Sequence, residues 1–207
     1  MSKEGAKPGA GTGVDTGRRR MLTIATSAVG AVGAGALAVP FVGSLAPSEK
    51  AKALGAPVTV DISEIKPGDV KTVAWRGRPV WIMRRTPEQL AGLDKIESQL
   101  ADPDSQRTAY PTPEYARNDH RSIKPELFVA IGICSHLGCS PTDKLQAGPQ
   151  PSLPDDWQGG FLCPCHGSTF DLAGRVYKNK PAPDNLEVPP HMYLSDTRLV
   201  IGEDTKA

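Results

Sequence analysis

One long apolar stretch is followed along the chain by many short runs in which apolar and polar residues alternate. The apolar stretch covers residues 21–48, which carry no charged side chain and consist mainly of Ala, Val, Gly, Ile and Leu. Because about 20 apolar residues span the hydrocarbon core of a bilayer, this stretch predicts a transmembrane helix. The alternative is a cleavable secretion signal, whose apolar core of about 7 to 15 residues is usually shorter.

Basic residues precede the apolar stretch, with Arg18, Arg19 and Arg20 directly before Met21. By the positive-inside rule, this flank lies in the cytoplasm and the rest of the chain on the far side. Paired arginines before an apolar segment also resemble the bacterial signal that exports folded proteins. We therefore expect a cytoplasmic tail with a twin-arginine-like signal (1–20), a single anchor helix in the bacterial inner membrane (21–47), a flexible tether (48–57) and a periplasmic domain (58–207).

Beyond residue 57 the pattern predicts a β domain with one helix. The predicted strands cover residues 58–62, 71–75, 79–83, 127–133, 192–194 and 199–201, and two pairs of them form hairpins. Thr86, Pro87 and Gln89 form a helix start, and the apolar spacing extends the helix to about Leu100. Residues 101–126 are polar and contain prolines, which favours a long loop.

Composition narrows the class of protein. The net charge of +1 argues against a nucleic-acid-binding protein, which usually has a clear basic excess. The chain is 39% apolar and 23% charged, so it is neither disordered nor embedded in a membrane throughout. The 21 glycines and 20 prolines favour a loop-rich β protein over a helical bundle.

All four cysteines and two of the four histidines lie in two short clusters, C-S-H-L-G-C at 134–139 and C-P-C-H-G-S at 163–168. Thiolate and imidazole ligands together suit zinc or iron–sulfur centres rather than calcium or magnesium. A structural zinc site commonly has C-x-x-C spacing and needs only four ligands, whereas six candidates are present here. A 2Fe–2S centre with two Cys and two His ligands would leave two cysteines, and an oxidising compartment would convert these into a disulfide.

The two clusters resemble the ligand boxes of Rieske iron–sulfur proteins. The extra cysteine pair resembles the pair found in the quinol-oxidising members of this family, the Rieske subunits of bacterial cytochrome bc complexes (ubiquinol:cytochrome c oxidoreductases). Residues 180–183 (K-P-A-P) occupy the place of that family's Pro-rich loop. The resemblance implies a mainly antiparallel β domain with a small cluster-binding subdomain and one short helix, preceded by one transmembrane helix. The cluster-binding loops would cover about 134–140 and 163–170.

The resemblance also implies a role for each residue of the two boxes. Cys134 and Cys163 would hold one iron of the 2Fe–2S cluster, His136 and His166 the other, and Cys139 and Cys165 would form a disulfide, with Leu137 shielding the cluster and Ser168 bonding a bridging sulfide. The other two histidines, His120 and His191, are expected to be surface residues.

For function, the resemblance implies that the chain takes one electron from ubiquinol, and a proton through His166, at the quinol-oxidation site. The electron would pass to a c-type cytochrome haem and contribute to proton translocation, with soluble cytochrome c downstream. The implied partners are cytochrome b and a c-type cytochrome subunit in a dimeric complex, so the chain alone is not a complete enzyme. The alternative is the small Rieske subunit of a periplasmic oxidase such as arsenite oxidase.

Phe170 departs from the family pattern, which commonly has Tyr two residues after the Ser of the second box. Without that hydroxyl, a hydrogen bond to a ligand sulfur is lost, so we expect a reduction potential lower by roughly some tens of millivolts than in Tyr-bearing relatives. The choice between ubiquinol and menaquinol stays open, since clusters of lower potential can pair with menaquinol.

We predict that Phe170→Tyr raises the midpoint potential in an EPR-monitored redox titration; an unchanged or lower value would contradict this interpretation.

Overall fold

The computed structural model describes residues 13–204 and divides the chain into two compact units at Lys50 and Ala51. The N-terminal unit is formed by helix α1 (Thr16–Ser44), whose side chains are all exposed. It begins before the predicted boundary at residue 21 because Asp15 caps it, accepting a hydrogen bond from the Arg18 amide at 3.0 Å. The arginine cluster therefore lies within the helix. A short exposed helix, α2 (Glu49–Gly55), follows.

By length and composition, the helical stretch Thr16–Gly55 suffices to cross a membrane, and no other helix among residues 13–204 does. A signal sequence near the N-terminus would meet the same criteria.

The second unit contains three antiparallel sheets of three strands each. In spatial order they are β1 (Val58–Asp61), β9 (Arg198–Ile201) and β8 (His191–Ser195); β2 (Val70–Trp75), β3 (Arg78–Arg84) and β4 (Leu127–Ile131); and β5 (Thr142–Lys144), β6 (Gly160–Leu162) and β7 (Thr169–Asp171). The predicted β class and both predicted hairpins, β2–β3 and β8–β9, are confirmed. The pattern did not predict β5, β6 and β7, because three residues are too few to show an alternation.

The predicted helix start is confirmed, but the predicted end is wrong. Helix α3 (Pro87–Leu93) opens with a capping box between Thr86 and Gln89. Instead of continuing to Leu100, the chain tightens into a 3-10 turn over Asp94–Gln99. That turn places Ile96 and Leu100 in a small separate core with Trp157 and Tyr177, so tertiary packing overrides the local preference.

Strands β3 and β4 separate two hydrophobic cores, because alternate side chains of a strand point to opposite faces. One face, with Trp81, Met83, Phe128 and Ala130, packs in the core that also contains Cys134, Cys163 and residues of β6 and β7. The other face packs with β1 and β9. This sheet is therefore buried on both sides and carries the cysteine-bearing segments on one of them.

Three buried arginines bind the turn that follows β7. Arg85 and Arg121 donate to the carbonyl oxygens of Leu172 and Ala173 at 3.2 and 2.8 Å, and Arg175 pairs with the Asp171 carboxylate at 2.7 Å. Burial lowers the pKa of Arg85 to about 9 and that of Arg121 to about 10, so both remain charged at neutral pH. Segments distant in sequence thereby hold this turn in place.

His191 is not the surface residue that the sequence suggested. Its side chain is buried, its Nδ1 lies 2.8 Å from the Pro189 carbonyl oxygen, and its ring meets Tyr115 edge-on. Burial lowers the pKa of His191, which keeps the ring neutral. A lone histidine after two prolines carries no sign of this burial, which arises from the pairing of β8 with β9.

We predict that Arg121→Met lowers the free energy of unfolding by about 3 kcal/mol, because two buried carbonyls and the Thr112 hydroxyl lose their donor. The measurement is urea unfolding of the full chain in detergent, followed by circular dichroism. Arg117→Met, in the same loop but exposed and with one hydrogen bond to the Thr112 carbonyl, is the control and should cost about 1 kcal/mol or less. Equal losses in the two variants would contradict the assigned role of Arg121.

Candidate metal centre

The first cluster loop begins just after β4 and closes on itself through the backbone. The Cys134 amide donates to the Cys139 carbonyl at 2.8 Å, and the Gly138 amide donates to the Cys134 carbonyl at 3.1 Å. Gly138 has a φ of 81°, a conformation that favours glycine. The loop therefore places the residues between the two cysteines at its tip.

The second cluster loop connects β6 to β7 and repeats the same hydrogen-bond pattern. The Cys163 amide donates to the Ser168 carbonyl at 2.8 Å, and the Gly167 amide donates to the Cys163 carbonyl at 3.0 Å. Gly167, with a φ of 72°, takes the place of Gly138. Two segments with the spacing Cys-x-x-x-Gly thus fold into matching turns.

The structure brings two thiols and two imidazoles together from these loops. Cys134 and Cys163 are both unbridged and buried, and their side chains interact. Burial, and to a smaller extent the neighbouring Cys163, raises the pKa of the Cys134 thiol. The rings of His136 and His166 stand edge-on with centroids 4.8 Å apart; His136 is half-buried and His166 exposed. The thiols are therefore shielded from solvent, and the imidazoles are more accessible.

A disulfide between Cys139 and Cys165 joins the two loops. Both of its sulfur atoms lie with the Cys163 sulfur in a group whose members are all within 4.8 Å of one another. Sulfur atoms bonded to each other are not thiolates, so this group is not a three-cysteine metal site. Of the four cysteines, only Cys134 and Cys163 remain available as ligands.

Ser168 is fully buried and links the second loop to the Pro-rich segment. Its Oγ accepts a hydrogen bond from the Ala182 amide at 2.9 Å, and its side chain also interacts with Cys134. Leu137 is 71% exposed at the tip of the first loop. Phe170 lies fully buried opposite Phe161 in the β6–β7 pairing, so the departure from the family pattern faces the core.

These residues fit an iron–sulfur centre with mixed ligands. The two thiols and two imidazoles are the soft and borderline donors that such a centre uses. Two pairs of ligands on opposed loops also match a group with two metal ions, whereas one closed tetrahedral zinc site requires four ligands around a single point.

Comparison with known proteins agrees with this donor set. Residues 56–190 match the family model described as "Rieske [2Fe-2S] domain". The chain belongs to the Rieske iron–sulfur family. Its cofactor is a Rieske-type 2Fe–2S cluster. A second family model, described as "Ubiquitinol-cytochrome C reductase Fe-S subunit TAT signal", matches residues 9–48.

Relatives cover nearly the whole Rieske chain. The ubiquinol-cytochrome c reductase iron-sulfur subunit of Allochromatium vinosum is 56% identical over 203 residues, which cover 98% of this chain and 97% of the relative. The subunit of the same name from Blastochloris viridis is 41% identical over 189 residues, covering 89% and 92%. Among solved structures, a chain of "Hyperthermophilic respiratory Complex III" aligns over 86% of this chain and 98% of its own, with 28% identity and a TM-score of 0.45.

Sequence reasoning did not predict two hydrogen-bonded contacts that support the Rieske site. Ser135 donates through its Oγ to the Asp184 carbonyl at 2.6 Å, and Ala182 provides the amide that Ser168 accepts. These contacts join segments separated by 49 and 14 residues. Backbone partners at such separations leave no signal in the pattern of side chains along the chain.

We predict that Cys139→Ala/Cys165→Ala destabilises the folded chain by roughly 3 kcal/mol, because the bridge closes a loop between residues 26 apart. Differential scanning calorimetry of the full chain in detergent measures the change. The wild type treated with a thiol reductant should show a similar loss. An unchanged melting temperature in both samples would contradict a stabilising role for the bridge.

Proposed function

We propose that this chain is the electron-accepting subunit of a cytochrome bc complex, which takes one electron and one proton from ubiquinol and delivers the electron to a c-type cytochrome haem. The observation that carries the proposal is the content of the two cluster loops: two buried thiols and two adjacent imidazoles, with His166 exposed. The relatives from Allochromatium vinosum and Blastochloris viridis are both subunits of this reductase, which favours it over an arsenite oxidase.

In this proposal Cys134 and Cys163 hold one iron as thiolates, and His136 and His166 hold the other. When bound, the cluster supplies a one-electron acceptor of raised potential, because neutral imidazoles replace two thiolate charges. Cys134 and Cys163 are buried, so water has little access to their sulfur atoms. Ser168 closes the turn that carries Cys163, and its hydroxyl would donate to a sulfur of the cluster.

His166 is proposed as the residue that contacts quinol. Imidazole has two ring nitrogens, so a histidine that ligates iron through one keeps the other available for hydrogen bonding and proton transfer. His166 is exposed, whereas His136 is half-buried, and the exposed ring is the more accessible to a substrate. The outer nitrogen of His166 would accept the quinol hydrogen bond and then hold its proton.

The proposed placement in the membrane follows the export-signal match and the apolar helix. Residues 1–20 would be a cytoplasmic tail, 21–47 a retained inner-membrane anchor, 48–57 a flexible tether and 58–207 the periplasmic domain. Basic residues before the apolar segment support this orientation. The signal for folded proteins would allow cluster insertion before export.

The proposed partners are those of the complex. Cytochrome b would provide the quinol site, a c-type cytochrome subunit would accept the electron, and soluble cytochrome c would act downstream of a dimeric complex. The chain would then be one component of a translocase and would require these partners for turnover.

Substitution of the proposed ligands should abolish the cluster. We predict that His136→Ala and His166→Ala each remove the EPR signal of the reduced cluster from membranes, since the iron loses an imidazole ligand. His120→Ala, in the connecting loop, should retain the signal. Full signal in His166→Ala would exclude this residue as a ligand.

An inhibitor of the quinol-oxidation site tests the place of the chain in a bc complex. In membranes reduced with ascorbate, we expect a Rieske EPR signal whose line shape changes on adding the inhibitor, because the inhibitor and His166 would meet at one site. A Rieske signal whose line shape does not change on adding the inhibitor would favour a periplasmic oxidase. A metal-containing protein without any signal would overturn the redox assignment.

A further inference from the structure

The Pro-rich segment, residues 180–186, contacts both cluster loops through serine hydroxyls. On one side the Ala182 amide donates to Ser168 Oγ at 2.9 Å. On the other side, Ser135 Oγ donates to the Asp184 carbonyl at 2.6 Å and accepts from the Asp184 amide at 3.2 Å. The position of this segment therefore determines how both serine side chains are held.

Asn185, the next residue, anchors the segment to the body of the domain. Its side chain is 4% exposed. Its Oδ1 accepts from the Val176 amide at 2.9 Å, and its Nδ2 donates to the Asp102 carbonyl at 2.9 Å and to Ser105 Oγ at 3.2 Å. One amide group thus joins the Pro-rich segment to two other segments of the chain.

The partner of Nδ2 is a turn with its own internal support. Both carboxylate oxygens of Asp102 accept backbone hydrogen bonds, from the Gln106 amide at 2.9 Å and the Arg107 amide at 3.2 Å. Ser105 lies within this turn at a φ of 53°. A closed turn of this kind gives Asn185 a fixed point of attachment, in a region where the sequence pattern indicates only a polar loop.

We propose that Asn185 is a positioning residue that tunes the cluster through the Pro-rich segment. By holding that segment, Asn185 keeps the Ala182 amide on Ser168 Oγ. With this acceptor site occupied, the Ser168 hydroxyl keeps its proton for donation, at the end of the turn that its own carbonyl closes on the Cys163 amide at 2.8 Å. A hydrogen bond donated to sulfur stabilises the reduced cluster, which carries one more negative charge.

The test compares Asn185→Asp and Asn185→Leu with the wild type in membranes that contain the full chain with its cluster. Asn185→Asp keeps the acceptor for Val176 but turns the donor into an oxygen facing Asp102; Asn185→Leu removes both. At a fixed ambient potential, we expect the ratio of reduced to oxidised cluster to fall roughly fivefold, as for the loss of one hydrogen bond. Hydrogen exchange at the Ala182 amide should accelerate.

Three further variants separate positioning from general stability. Asn118→Asp makes the same change in the loop that contains Asp102 and Ser105, where the Asn118 side chain bonds Ser122 and His120, and should leave the potential unchanged. Ser105→Ala removes one partner of Asn185 and should shift the potential in the same direction, less far. In a Ser168→Ala background, Asn185→Asp should cause little additional shift, since both changes would act through one hydroxyl.

An additive shift in the double variant would overturn the proposal, as would an unchanged potential and unchanged Ala182 exchange in Asn185→Asp. If both Asn185 variants lose the cluster entirely, Ser105→Ala decides the question: a lower potential supports the proposal and an unchanged one overturns it. These outcomes are independent of quinol oxidation, so they do not depend on the proposed place of the chain in a bc complex.

Discussion

The structure depends on bringing two short turns together so that their thiol and imidazole side chains meet while the thiols stay buried. Each turn is closed by the same pair of backbone hydrogen bonds, and the Cys139–Cys165 bridge joins them. The turns grow out of β4 and the β6–β7 hairpin, whose side chains share one hydrophobic core with Cys134 and Cys163. The packing of that core therefore sets the distance between the two halves of the metal centre.

Polar contacts complete what the hydrophobic core begins. Three arginines hold the turn after β7, the strand that follows the second cluster loop. Two serines hold the Pro-rich segment against both cluster loops. Most of these bonds end on backbone carbonyls or amides, which have fixed positions once the strands are paired. Buried hydrogen bonds of this kind hold a geometry that apolar packing alone would leave looser.

The residue pattern predicts much of the site because ligand chemistry requires particular side chains at particular spacings. The spacing of Cys, His and Gly is enough to recognise the two boxes in the sequence. The two hairpins and the Thr86 cap follow from local conformational preferences. The end of α3, the burial of His191 and the three strands around the second loop depend on distant partners. The contacts of Ser135, Ala182 and Asn185 are of the same non-local kind, so no local pattern predicts them.

The bridge between the loops also has a consequence for metal selection. Its two sulfur atoms lie close to that of Cys163, so a chain with the bridge open would present three neighbouring thiols to any thiophilic ion. Closing the bridge withdraws two of those thiols and leaves Cys163 only Cys134 as a sulfur partner. The disulfide therefore keeps two competing thiols away from the Cys163 sulfur, as well as joining the two loops.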